Sequence, residues 1–395
     1  MGEDSIFSLY FGPDLVVVLN GYDNVHHAFI KHAEIFNDRP ASLAASAPGE
    51  EPNRGIIASS GKLWKQQRTV SLNILKAFGM GKNILASKVG EEVSAYLEAL
   101  NEFRGQPADV GTLTRNAVAN VICSIIVGTR FEYGDPYFTK FIVNLDTIMR
   151  ANGSSAALSL FPWLRYLPIP GDLFNTRKLK ESYRNIMDFF FFHYMNKMKS
   201  EESGDENDNF ILAYLHAREK LIQQGQDTTL DDENLARVVF ELFLAGTDTT
   251  SSFFTWFIVH MVHHPDIQAK IYAEILDVVG SERPPAMQDK SKLNLIVATI
   301  HETLRINFAT LNVPHQCRED TVLKGYRIPA GTTIIPNTDS LHRCETTFKD
   351  PTEFRPERFL DSEGNLVAPP NQFMPFGIGK TTKKEFATFV ISSLF

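Results

Sequence analysis

Cysteine is scarce in this sequence: Cys123, Cys317 and Cys344 are the only three among 395 residues, and no two have CxxC spacing. That scarcity argues against a zinc site and a disulfide framework, and the three read as reduced core or loop thiols. Long apolar runs are missing from the amino terminus, where "MGEDSIFSLYFGPDLVVVLNG" is broken by Pro13 and Asp14, so neither a signal peptide nor a membrane anchor is expected there. Positive charge is also in deficit. With 39 Lys and Arg against 47 Asp and Glu the net charge is -8, and no stretch interleaves basic and aromatic residues. Nucleic acid, which needs a basic footprint, is set aside as a partner. No internal repeat shows at any period.

What is present suits a folded enzyme-sized chain. Hydrophobic residues make up 43% and charged residues 22%, enough for a sizeable core in one large fold or two domains. Apolar residues recur three and four apart from Lys62 to Leu304, as in "LARVVFELFLAGTDTTSSFFTWFIVHMVHH" and "LNLIVATIHETLRI", which predicts helices. Strand signals occur in "LYFGPDLVVVLNG" and in "CREDTVLKGYRIPAGTTIIPN", and a small sheet joining the two ends of the chain is expected. The runs Ala41 to Asn53 and Lys199 to Asn209 have loop composition, and the proline-rich stretch from Lys349 to Pro375 reads as an irregular meander. The fold class is mainly α with a small β region.

Four stretches carry candidate chemistry. The longest apolar helix, roughly Asp232 to His264, holds "AGTDTT" at its centre. Glycine costs a helix interior about 1 kcal/mol relative to alanine and threonine hydroxyls compete for carbonyls, so local distortion is expected. Two readings stand: Ala245 and Gly246 admit a flat ligand to the backbone beside the acid Asp248 and the alcohol Thr249, or the stretch is a helix-packing notch. In "HETLR", Glu302 and Arg305 lie three apart on one helix face, either a solvated pair or a buried one joined by an arginine from "FRPERF". "WKQQR" sets the donors Trp64 and Arg68 one turn apart, suited to gripping a carboxylate, with His315 after "NVP" as a third donor; a lone Trp or His is also an ordinary core residue.

Taken in this order, these residues resemble the cytochrome P450 family, most nearly its animal microsomal family 2 type, over almost the whole chain. The resemblance implies a P450-like fold, truncated at both ends, organised as a single domain over 1–395. Its β-rich parts would lie near 5–20 and 317–340, its helices over 62–310, and a meander and cofactor loop over 345–383. It implies a haem cofactor held by Arg39, Trp64, Arg68, Ala245, Gly246, His315, Phe376 and Gly379. Asp248 and Thr249 would relay protons, and Glu302, Arg305 and Arg358 would form a structural triad. The substrate pocket would include Glu241, Phe308, Ala309 and Val313, with the stretches Leu43 to Ile57 and Leu158 to Leu173, and would take a steroid, fatty acid or xenobiotic. Electrons would come from NADPH through a reductase. The full-length relative would sit on the cytoplasmic face of the endoplasmic reticulum, with "LFPWLRYLPIPG" (Leu160 to Gly171) either touching the membrane surface or forming an ordinary buried loop.

One position departs from the pattern. The family's cofactor loop reads F-x-x-G-x-x-x-C-x-G, with a cysteine thiolate as axial iron ligand. Here "MPFGIGKTTKKEFATF" keeps Phe376 and Gly379, but Lys383 stands at the cysteine position and Glu385 at the last glycine, and Thr381 follows Lys380 where arginine is usual. The chain resembles a haem-thiolate monooxygenase in every motif but this one. The alternatives are a catalytically inactive splice or truncation product or apolar-ligand-binding pseudo-enzyme, and an unrelated helical ligand-binding protein whose motifs coincide.

Overall fold

The computed structural model describes residues 5–40, 54–57, 59–78, 83–161, 163–164, 171–189, 209–307 and 313–378. The chain divides into two compact units, one taking Met1–Leu9, Leu15–Asn37 and Thr249–Phe395, the other Tyr10–Asp14, at the β1–β2 turn, and Asp38–Asp248.

The first unit holds a four-stranded sheet. Strands β1 (Ile6–Phe11), β2 (Asp14–Leu19), β3 (His315–Gln316) and β6 (Thr333–Pro336) lie in the order β1-β2-β6-β3, with β2 parallel to β6 in the register Val17 to Ile334. A parallel pair buried on both faces favours continuous β-branched runs, and "VVVL" and "TIIP" supply them. Between β3 and β6, β4 (Thr321–Leu323) and β5 (Tyr326–Ile328) form a hairpin. Its two-residue turn needs positive φ at both positions, and Lys324 (φ 50) and Gly325 (φ 90) provide it. The sheet packs on helix α1 (Tyr22–His26), which runs into a π-helical turn over His27–Lys31. Val17, Leu19, Val25, Phe29, Phe36, Cys317 and Ile334 form that core.

The second unit is helical. Helices α2 (Gly61–Ala77), α3 (Asn83–Glu102), α4 (Val110–Ile126), α5 (Pro136–Leu160), α6 (Thr176–Asp188) and α7 (Phe210–Gln223) follow in order. Buried apolar residues extend along α4 from Leu113 to Ile126 and make it a central element. Between α3 and the turn after α4, the buried Glu92 is satisfied by Tyr133, Arg130 and Asn120.

Helix α8 (Asp232–His263) belongs to both units, changing over between Asp248 and Thr249. Its start is fixed by Asp231, whose carboxylate accepts from Asn234 N–H at 2.6 Å, and by the acidic first turn of Asp232 and Glu233. It ends before Pro265, the first residue of α9 (Pro265–Val279). The expected distortion at "AGTDTT" is absent: α8 runs unbroken. A Cβ built on Gly246 would meet Ile122 Cδ1 of α4 at 2.8 Å. Close helix approach therefore uses the missing side chain, and packing offsets the propensity cost. In the first unit, α10 (Asn294–Asn307) and α11 (Thr338–His342) complete the helices. Among the described residues, no helix is long and apolar enough to cross a membrane.

In the second unit the segment before α2 is clamped to α8. Arg54 pairs with Asp231 and Glu233. Gly55 N–H donates to Asn234 Oδ1 at 3.2 Å. Gly55 has φ +74, and a Cβ there would lie 2.6 Å from both Arg237 Cγ and Glu241 Oε2. Gly105 has a similar φ of +76 with open space around it. Gly105→Ala should therefore cost about 1–2 kcal/mol from the left-handed backbone alone. Gly55→Ala should cost roughly a further 1–3 kcal/mol for the forced overlap. Urea midpoints at unchanged m-value will check this, and equal costs would refute the close fit.

Candidate functional site

The carboxylate of Glu302 on α10 is a fully buried charged group of the first unit. Glu302 and Arg305 side chains are both fully buried, which rules out the solvated-pair reading. Arg305 donates to Glu302 through Nε and Nη2, each at 2.8 Å, a bidentate fork. Arg358, on the 3-10 turn Pro356–Phe359, adds Nε at 3.0 Å, and the backbone N–H of Arg355 adds a fourth donor at 2.9 Å. One carboxylate thus faces two guanidinium groups. The remaining donors go to carbonyls: Arg305 reaches those of His342, Pro351 and Glu353, and Arg358 those of Lys349, Asp350 and Glu353. The aromatic face of Phe348 covers Arg305 at 5.2 Å. This hub fastens α10 to the meander, whose Phe348 and Phe359 pack on Ala298.

Two further predicted groups lie in the first unit. His315 on β3 is buried, its ring 4.5 Å from Phe29. Phe376 is half-buried and packs with Phe253, Ile300 and Leu304. Val313 is half-buried. Phe308, Ala309, Gly379 and Lys383 lie outside the described residues, as does most of Leu43 to Ile57.

In the second unit, Arg68 lies 5.6 Å from the Trp64 ring centre on α2. Arg39 is held at about 10, well below the ordinary arginine value, by burial and by the charge of Arg68. Two guanidinium groups that raise one another's energy beside an indole N–H form a set complementary to a dianion. That donor chemistry fits the two carboxylates of haem. Among the described residues, no cluster of three or more His, Cys, Asp or Glu is arranged to hold a metal ion.

On α8, Ala245 and Asp248 are half-buried, and burial raises the Asp248 carboxyl above the ordinary aspartate range, against the pull of Arg115. Thr249 follows it, half-buried. The flanking Thr247 and Thr250 are fully buried with hydroxyls that make no hydrogen bond to the preceding turn or to any described group. Glu241, assigned to the pocket by sequence, has another engagement. Its Oε2 accepts from the N–H groups of Ile56 (2.6 Å) and Ile57 (3.0 Å), and Oε1 accepts from Arg237 at 3.1 Å. It therefore anchors the loop before α2. Burial raises its carboxyl, while Arg237 and the two amides oppose the rise. The i,i+4 spacing of Arg237 and Glu241 signals their ion pair, but no pattern of types signals the loop anchor, because the donors of Ile56 and Ile57 are backbone. Along the stretch read as a membrane-touching or buried loop, Phe161 and Trp163 are exposed, as is Leu173 beyond it.

None of the thiols lies in the cofactor loop. Cys123 is sealed within α4, where burial drives its thiol up. Cys317 is buried and donates to the Glu319 carbonyl, and Cys344 bonds with the Thr346 hydroxyl.

Removing the central carboxylate would leave two buried guanidinium groups uncompensated. Glu302→Ala is expected to cost about 3–5 kcal/mol. Arg343→Ala, at an exposed pair with Asp339, should cost at most about 1 kcal/mol. Denaturant unfolding of the two variants measures the contrast, and a Glu302→Ala cost near that of Arg343→Ala would refute the hub.

The sequence matches the cytochrome P450 family model over residues 3–382. It is similar to human cytochrome P450 2U1, 35% identical over 381 residues that cover 95% of this chain and 68% of that protein. Human cytochrome P450 2J2 is 36% identical over 386 residues, covering 95% and 74%, and rat cytochrome P450 2D4 is 35% identical over 381 residues, covering 95% and 75%. A coincidence of motifs in an unrelated helical protein is thereby excluded. The chain belongs to the cytochrome P450 family, the haem monooxygenases.

Proposed function

We propose that this chain is built as one P450-like domain to place a lipophilic small molecule, of the steroid, fatty acid or xenobiotic class, beside haem for insertion of one oxygen atom from dioxygen. We propose equally that Lys383 withholds the axial thiolate from the chain as it stands. When bound, haem supplies the one-electron and dioxygen chemistry. Arg39, Trp64 and Arg68 would hold its carboxylates, with His315 as a further donor, and Phe376 would pack near it. Asp248 would keep a proton to higher pH than an exposed aspartate and pass it to the Thr249 hydroxyl, since burial disfavours its charged form. The adjacent, half-buried Asp248 and Thr249 at the centre of an apolar helix are the observation that carries the oxygenase reading. NADPH, through a reductase, would supply electrons. The exposed Phe161 and Trp163 suit contact with an endoplasmic reticulum surface.

The second reading, a member without oxygenase activity, rests on Lys383. An ammonium has three donors and no lone pair, so it binds no iron until it loses its proton, and a neutral amine lacks the electron push of a thiolate. The full chain, loaded with haemin, reduced and exposed to carbon monoxide, should lack the long-wavelength Soret band of thiolate ligation; its appearance would overturn the Lys383 reading. Arg68→Ala should weaken haemin uptake by roughly ten-fold, as expected for loss of one charge-assisted contact. Undiminished uptake would remove Arg68 from the proposed cofactor set.

A further inference from the structure

His342, the last residue of α11, is fully buried and uses both ring nitrogens. Met374 N–H points at Nε2 from 2.9 Å, and Nδ1 lies 3.1 Å from the Arg305 carbonyl oxygen. An amide only donates and a carbonyl only accepts, so the two neighbours require a hydrogen on Nδ1 and a lone pair on Nε2. The other neutral tautomer satisfies neither contact, and an imidazolium sets two donors against each other at Met374. The same histidine accepts from Arg305 Nη1 through its own carbonyl at 2.8 Å. Arg305 therefore holds residue 342 twice, at its backbone and at its ring.

On the far side of the ring the chain turns into the cofactor loop. Phe373 stacks on His342 with ring centres 5.7 Å apart and planes inclined by 22°. Phe373 N–H donates to Pro370 and Gly377 N–H to Met374, so the turns at 370–377 are closed by their own backbone. Among the described residues, the Met374 bond to His342 is the hydrogen bond that carries this segment to another element.

We propose that His342 is a positioning residue for the cofactor loop: through one neutral tautomer it ties the segment Phe373–Ile378 to the carbonyl of Arg305, the arginine of the buried hub. The proposal rests on the reading that the segment around Phe376 seats the cofactor, and it assigns the seat's placement to a residue that touches no cofactor.

The surroundings keep the ring neutral. Two charged groups face it: the Arg305 guanidinium from α10 and Asp339 from its own helix, itself paired with Arg343 at 2.7 Å. Burial and Arg305 lower the ring's proton affinity, the Arg305 carbonyl and Asp339 raise it, and the outcome is about 4 against an ordinary 6.5. With a folded value below the unfolded one, the unfolded chain takes up the proton first. The contribution of the tie to stability is complete above the ordinary value and falls as the pH drops toward about 4.

The test uses the full chain carrying isotope-labelled histidine and methionine. Long-range ring correlations of His342 should report a hydrogen on Nδ1. The Met374 amide shift should follow the His342 titration in a single curve as the solution is acidified. His342→Gln, whose side-chain oxygen can accept from Met374 and which does not ionise, should flatten that curve. His342→Phe, which keeps the ring's bulk and loses the acceptor, should speed exchange of the Met374 amide near neutral pH by roughly ten-fold, the worth of one hydrogen bond. A hydrogen on Nε2, or a Met374 shift indifferent to His342, would overturn the tie. Should acid unfold the chain first, or the phenylalanine variant fail to fold, the neutral-pH tautomer of the unmodified chain still decides. A haemin titration separates the two readings. Weaker uptake by His342→Phe than by His342→Gln supports both. Equal uptake, with the Met374 amide loosened only in His342→Phe, keeps the tie and overturns the cofactor-seat reading.

Discussion

A buried carboxylate with two buried guanidinium partners is an expensive arrangement, and in the first unit the meander depends on it. Isolating Glu302 from water costs several kcal/mol, regained only when every lone pair and every N–H finds a partner. Four donors meet the carboxylate, and the surplus positive charge of Arg305 and Arg358 is spread over the carbonyls of residues 342, 349, 350, 351 and 353. Apart from residue 342, at the end of α11, those carbonyls belong to a stretch poor in regular secondary structure, where few ladder bonds would otherwise satisfy them. The charge cluster substitutes for a sheet or helix in giving the meander one shape.

The same logic recurs in the second unit with a different anchor. Glu241 gathers two amides from the loop before α2 and the Nε of Arg237. A carboxylate on a rigid helix is a strong acceptor for loop N–H groups that would otherwise need water. The loop is held by its backbone, which leaves the side chains of Ile56 and Ile57 free to vary without loss of the anchor.

Much of this was legible in the sequence, and the parts that were not share a cause. The limits of α8 could be read to within a residue, because acidic residues at its start and Pro265 after its end are local signals. Glu302 and Arg305 were recognisable by spacing, and the apolar residues around them pointed to burial. The acceptors of Arg305 were not, since carbonyl groups have no sequence signature. For the same reason His342 went unremarked, its two partners being an amide and a carbonyl. Glu241 enters the pocket only through the family resemblance, and its partners, the main-chain amides of residues 56 and 57 with the Arg237 side chain, include two that no residue type announces. The distortion expected at Gly246 is missing because helix propensity is a local property, while the close approach of Ile122 is a tertiary one that overrides it.

The state of the three thiols has a practical side. Cys123 and Cys317 are buried, whereas Cys344 is half-buried just ahead of the meander, two positions beyond His342. A maleimide dye or spin label offered to the native protein has a single accessible attachment point. It would sit two residues from the His342–Met374 hydrogen bond, an optical gauge of that junction with no engineered cysteine required.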